Sequence, residues 1–462
     1  MDGKEYLFRK MPVYRAVLAL AIPTVLSQLI TLIYNLADTF FIGRLNDPAQ
    51  VAAATVALPP FIVLTALSNL FGIGGAGKIS RCLGSADPEG AGKSASFSVW
   101  AAVLVPLAYG LAALAAAPVL LPLLGAGQDT YEYCRSYMFW TVTVGAVPTV
   151  LSVTLSHLVR AEGHSRQAGF GVALGGILNI ALDPVFIFVF GLEIAGAALA
   201  TMLSNLFACL YFIGFLRRQR GRTVVTQSLR RCAYSREIAC DILLGGLPSF
   251  TMMILSCVSN SVLNNLMASW ATEAMAGMGI AKKIDMIAFS VAQGMTQGVL
   301  PLIAYNYASG DRKRMQRTIG VTLAYALTLA CAGMAGLYFF AGALVRCFIG
   351  DGLTVVYGQR FVRIICFLCP STAFNYMVIA VFQATKRRTQ SIVLSVLRKG
   401  SLDIPLMLLF SSMYGVTMIP WATPISDWLA LVVSVCLLVP ELKKMQAGPG
   451  AGAVDGPRGG VV

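Results

Sequence analysis

LIYNLADTFFIG, residues 32–43, places a carboxylate, Asp38, in a run that is otherwise almost wholly apolar. Upstream the run continues back to residue 16 without another charge. A helix of that length crosses the ~30 Å hydrocarbon core of a bilayer. The stretch therefore reads as a transmembrane helix, and its question is what the acid does there.

The rest of the chain extends this reading. Of 462 residues, 57% are hydrophobic and 12% charged, whereas soluble domains carry about 25% charged residues. Twelve apolar spans are expected, near residues 14–42, 52–78, 96–119, 136–159, 168–190, 195–216, 238–266, 276–307, 318–345, 360–382, 391–412 and 417–440. Lipid offers backbone groups no hydrogen-bond partner, so the spans are helices and no sheet is expected. The opening MDGKEYLFRKMPVYR is charged, and the apolar run after it outlasts a signal peptide and has no small-residue cleavage site, so the first span belongs to the mature chain.

A net charge of +14 would suit nucleic acid if the basic residues formed one patch. They fall instead at alternate span ends, 28 of 35 on one side, Arg398 and Lys399 counted among them. The positive-inside rule then puts both termini in the cytoplasm of an inner-membrane protein. The only C-x-x-C, Cys366 to Cys369, lies in a span without a second pair, so packing is its reading. His157 and His164 read as interfacial residues and not as ligands. GIGGAGKIS (72–80) approaches a phosphate-binding loop, but Ile79 replaces the Mg²⁺-binding hydroxyl and no strand precedes it, so no ATP site is expected.

The basic stretch 217–237 divides the chain into an N-lobe (1–216) and a C-lobe (238–446), followed by a Gly-rich tail (447–462) expected to be disordered. The halves repeat: residues 18–35 lie over 243–260, with Pro23 on Pro248 and Asn35 on Asn260, and ALDPVFIF (181–188) resembles LDIPLMLLF (402–410). Six crossings per half make the repeats parallel, about an axis normal to the membrane, an arrangement found in transporters that bind substrate between the halves. The expected fold class is thus an all-α integral membrane protein of twelve helices in two pseudo-symmetric six-helix lobes.

A charge at the bilayer centre costs at least ~2.5 kcal/mol, so such acids face a protein interior or a wet cavity. Helix rise sets Asp38 ~6 Å, Asp183 ~10 Å and Thr201 ~9 Å below the outer span ends, with Asn179 one turn deeper than Asp183. Two acids, an amide and a hydroxyl from three helices fall in one layer. Pro184 should loosen the helix after Asp183. Oxygen ligands suit a hard cation, and burial beside a second carboxylate favours proton uptake, so Na⁺ or H⁺ fits; local hydrogen bonding between helices is the alternative.

With IPTVLSQLITLIYNLADTFFIG (22–43), LNIALDPVFIF (178–188), GAALAT (196–201) and residues 274–315 on view, the sequence resembles the MATE (multidrug and toxic compound extrusion) transporters over about residues 10–440. The resemblance implies a monomeric, V-shaped antiporter of drugs or amphipathic metabolites driven by Na⁺ or H⁺, without ATP or a prosthetic cofactor. It puts Asp38, Asn179, Asp183 and Thr201 on the family's N-lobe cation site. Residues 250–267 carry no carboxylate, which favours a DinF-like branch. In the second half Lys282, Asp285, Asp403 and Asp427 meet at one level as a charge network, either paired structurally or facing substrate, and with Asn35 and Asn260 they are candidates for the substrate cavity. Pro23 and Pro184 are the candidate hinges. Two intramembrane acids also fit an aspartyl protease, but neither lies in a G-x-G-D context. The competing function is a lipid-linked saccharide flippase, for which Lys282, Lys283, Arg398 and Lys399 would line a cationic cleft.

Overall fold

The computed structural model describes residues 5–45, 47–225, 235–349 and 352–446. The expected tail disorder and the middle of the basic linker lie outside the described residues. Within them the chain is helical, and twelve spans follow one another. They are α1 (Val13–Gly43), α2 (Pro48–Gly84), α3 (Pro88–Leu123), α4 (Tyr131–Val144 and Ala146–Ala161), α5 (Ser165–Val189), α6 (Glu193–Arg218), α7 (Arg236–Ala268) and α8 (Glu273–Ala308). The series ends with α9 (Arg312–Arg346), α10 (Gly352–Ile365 and Leu368–Ala384), α11 (Arg388–Val396 continued by Asp403–Tyr414) and α12 (Ile419–Lys443).

Nine of these are long and apolar enough to span as single helices among the described residues, and α4 and α10 join them as bent pairs. The twelfth, α11, is broken by a π-helical turn, Leu397–Ser401. That turn corrects the charge count made from sequence. Arg398 and Lys399 do not sit in a cytoplasmic loop: Arg398 is buried, 2% exposed, deep in the second half. His157 is likewise not interfacial. It is buried on α4, accepts or shares a hydrogen bond with Arg160 Nη1 at 3.1 Å, and packs against Gly72.

The duplication is visible as repeated local chemistry. LGSAD (83–87) and ASGD (308–311) both end in an aspartate that caps the next helix: Asp87 accepts from Gly90 N at 2.8 Å, and Asp311 from Arg314 N at 3.0 Å. Each such cap contributes about 1 kcal/mol. The fourth helix of each half bends, by 47° in α4 and 42° in α10. Pro23 and Pro248 lie inside unbroken helices.

The halves meet along two seams, α1 against α8 and α2 against α7. At the second seam a Cβ added to Gly74 would strike the Ile242 carbonyl, and one on Gly246 would strike the Leu70 carbonyl. Only glycine lets these backbones touch, as at other close helix crossings in membranes. The seam is tied at its basic end. Asp241 on α7 is 3% exposed and pairs with Lys78 Nζ of α2 at 2.7 Å, with Lys386 Nζ at 3.6 Å, and with Arg388. Arg81 Nη1 donates to the Gln383 carbonyl across the halves at 3.3 Å. The near-P-loop sequence is simply part of α2.

Candidate functional site

α5 carries Asn179 and Asp183 at a four-residue spacing, which puts both on one face. The carboxylate can only accept, so the amide presents its nitrogen. Asn179 Nδ2 donates to Asp183 Oδ1 at 3.3 Å and to Thr201 Oγ1 of α6 at 3.3 Å. Three of the four residues expected from sequence are thus joined by hydrogen bonds. The fourth, Asp38 of α1, stands in the electrostatic field of Asp183 without a hydrogen bond to it.

What these bonds leave over defines the site. Asp38 Oδ1, Asn179 Oδ1 and Asp183 Oδ2 are all buried and receive no donor. Asp183 is 0% and Asn179 2% exposed. A buried acceptor left unpaired costs about 1–3 kcal/mol, more if charged. Two carboxylates in each other's field and an amide oxygen, all with unpaired acceptor atoms, concentrate negative potential and lone pairs in this part of the first half.

Two neighbours were not found by sequence reasoning. Tyr34 lies one turn before Asp38 and feels its charge, and Tyr137 of α4, 7% exposed, feels both Asp38 and Asp183. The four-residue spacing of Tyr34 was readable. Tyr137 comes from a helix a hundred residues away in sequence and had no local signal.

The surroundings fix these side chains. After Pro184 the α-helix passes into a π-helical turn, Val185–Val189, as the loss of a backbone donor at proline would produce. Gln50 of α2 bridges to the start of α6: its Nε2 donates to Glu193 Oε2 at 2.7 Å, and its Oε1 accepts from Ile194 N at 3.1 Å. That clamp sets the height of α6, and with it Thr201.

The second half is built differently. Arg398 Nε donates to Asp427 Oδ1 at 2.6 Å, with the two side chains 1% and 2% exposed. Asp427 also accepts from Thr372 Oγ1 at 3.0 Å, and Arg398 lies 4.8 Å over the Tyr376 ring. Asp403, 0% exposed, accepts from Ser259 Oγ at 2.6 Å and stands 3.9 Å from Lys399 Nζ. Asp403 and Asp427 are therefore sealed in a packed interior and do not line an open cavity. Lys282 and Asp285 are only part-buried. Asn35 and Asn260 are exposed, and Asn35 Nδ2 is turned back to the Thr31 carbonyl at 2.8 Å.

Comparison with known proteins agrees with this architecture. The family model MatE matches residues 23–185 and 248–409, once in each half. A curated relative, the multidrug export protein MepA of Staphylococcus saprophyticus, is 29% identical over 437 residues, covering 95% of this chain and 96% of its own. Among solved structures, a MATE transporter in complex with MaL6 superposes with a TM-score of 0.91 at 25% identity, over 97% of this chain and 100% of the other. The outward-facing form of a multidrug resistance MATE transporter gives 0.91 at 24% identity, over 97% and 99%.

Proposed function

The chain belongs to the MatE family, and from that membership we propose that it is a multidrug exporter of the inner membrane, driven by cation entry at Asp38, Asn179, Asp183 and Thr201. The observation that carries the proposal is the set of three buried acceptors without donors on three different side chains. Helix packing alone gives no reason to gather three such atoms, two of them on carboxylates that stand in each other's field with no cation paired to either among the described residues. The relatives named for multidrug export support an amphipathic small molecule as cargo.

In this reading a Na⁺ or H⁺ is shared by Asp38 and Asp183 and cancels one of their two negative charges. A ligand shifts a conformational equilibrium only through its differential affinity for the states. The site joins α1, α5 and α6, so the cation favours the arrangement in which these three approach, with Pro23 and Pro184 as the points that yield. The lobes, 1–216 and 238–446, then alternate access as rigid units about the glycine seam, as a monomer with both termini in the cytoplasm. The flippase reading asked for a cationic cleft, but Arg398 is spent on Asp427, which favours export.

Reconstituted vesicles with imposed Na⁺ or pH gradients test this. Asp38→Asn should fold, bind a cationic dye, and lose gradient-driven efflux. Efflux at the normal rate from that variant would remove the site from the mechanism.

A further inference from the structure

Six ionic side chains lie together in the second half, and four form two ion pairs: Arg398 with Asp427, and Lys399 with Asp403, whose Oδ2 also accepts from Ser259 while its Oδ1 is unpaired. Lys282 and Asp285 are left. They sit about 14 and 18 Å along α8 from Glu273. Intramembrane ions at such depth mark a binding path by default.

Their placement is informative. At a three-residue spacing they share one helix face, with Cβ atoms about 5–6 Å apart. Yet they form no ion pair with each other, and neither has a hydrogen-bond or ion-pair partner among the described residues. Neither charged group is among the polar atoms sealed from solvent. An acid and a base are thus displayed side by side, held apart, and reachable. Lys283, the next residue, projects about 100° around the helix and belongs to another face.

The surrounding charge decides what fits. Lys282 feels Lys399, Asp285 and Asp403, and Asp285 feels Lys282, Lys399 and Asp427. A simple cation drawn to Asp285 is opposed by Lys282 and Lys399. A simple anion drawn to Lys282 is opposed by Asp285 and Asp403. A ligand carrying both signs meets neither opposition. One turn beyond Asp285 on the same face, Phe289 packs edge-on to Tyr376 at 5.5 Å, an apolar floor for the uncharged part.

We infer that Lys282 and Asp285 form a substrate subsite for zwitterionic amphiphiles, Lys282 taking the acidic group and Asp285 the basic one. The subsite deepens the export reading and rests on it for its place in a transport cycle, but binding itself requires no gradient.

The test uses purified full-length protein and two fluorescent probes, ε-dansyl-lysine, which is zwitterionic, and its methyl ester, which keeps only the ammonium. Dansyl fluorescence gives the two dissociation constants in mildly acidic buffer. Wild-type protein should bind the acid about tenfold tighter than the ester or better. Lys282→Met should bring the ratio to about one by weakening the acid alone, and Asp285→Asn should weaken both probes. If Lys282→Met does not fold, Lys282→Gln against Lys282→Arg carries the same comparison, the arginine keeping the ratio. Equal wild-type affinities, or a ratio untouched by loss of the Lys282 charge, would overturn the subsite. Neither result bears on coupling, because gradient-driven efflux of a monocationic dye is read separately. Coupled efflux that persists at the normal rate in Asp38→Asn, with the ratio intact, would overturn the cation site and leave this one standing.

Discussion

The pair Arg398–Asp427 allows a quantitative test of how the second half is held together. Its side chains are 1% and 2% exposed, and the Nε–Oδ1 distance is 2.6 Å. Replacing Arg398 by Met leaves Asp427 with the Thr372 hydroxyl as its side-chain donor and removes the cation from the Tyr376 ring. Breaking a buried pair from one side costs about 3–5 kcal/mol. Asp427→Leu should cost more than Arg398→Met, because a carboxylate stranded in the interior can take up a proton while a guanidinium cannot lose one. The double variant removes both charges and should fall within about 1 kcal/mol of wild type or exceed it. Equilibrium unfolding in mixed micelles measures all four proteins, and the coupling energy follows from the cycle. Single-variant losses that simply add in the double variant would refute the reasoning, since the two residues would then not be stabilising each other.

Two other perturbations address the seam between the halves. Gly246→Leu drives a side chain into the Leu70 carbonyl and should lower stability by about 1–3 kcal/mol or more, whereas Gly333→Ala, with nothing within 4 Å, should be neutral or gain ~0.5 kcal/mol from helix propensity; thermal unfolding in detergent separates them. Asp241→Asn releases Lys78, Lys386 and Arg388 from one buried carboxylate. The Lys386 and Arg388 side chains are 47% and 33% exposed, so the loss should be about 1–3 kcal/mol, below that for Arg398, and should appear as faster thiol labelling of a cysteine placed at Gln383.

The fold was legible because its determinants are local. Run length, charge at alternate ends and the Pro23/Pro248 and Asn35/Asn260 matches each needed only the chain itself. The layer containing Asp38, Asn179, Asp183 and Thr201 was legible for the same reason: helix rise converts sequence position into depth, and depth brings residues of neighbouring spans to one level. Rotation about each helix axis is not encoded so simply, and there the reading failed. Arg398 was counted with the cytoplasmic bases since nothing local distinguishes a loop arginine from one ten residues inside a span whose partner lies 29 positions away. The duplicated scaffold explains why that arginine is needed. In the first half Asn205 of α6 donates to Thr149 of α4 at 3.1 Å, and in the second Thr372 of α10 donates to Asp427 of α12 at 3.0 Å. Both bonds join the fourth and sixth helices of a six-helix unit, but the acid in the second demands a counter-charge that the amide does not. Conversely, the offset that puts Asn35 on Asn260 puts Asp38 on Leu263, which is 1% exposed. One ancestral layout has thus diverged in opposite senses. The first half keeps acids without cations, and the second sets Arg398 against Asp427 and Lys399 and Ser259 against one oxygen of Asp403, with Lys282 and Asp285 outside these pairs.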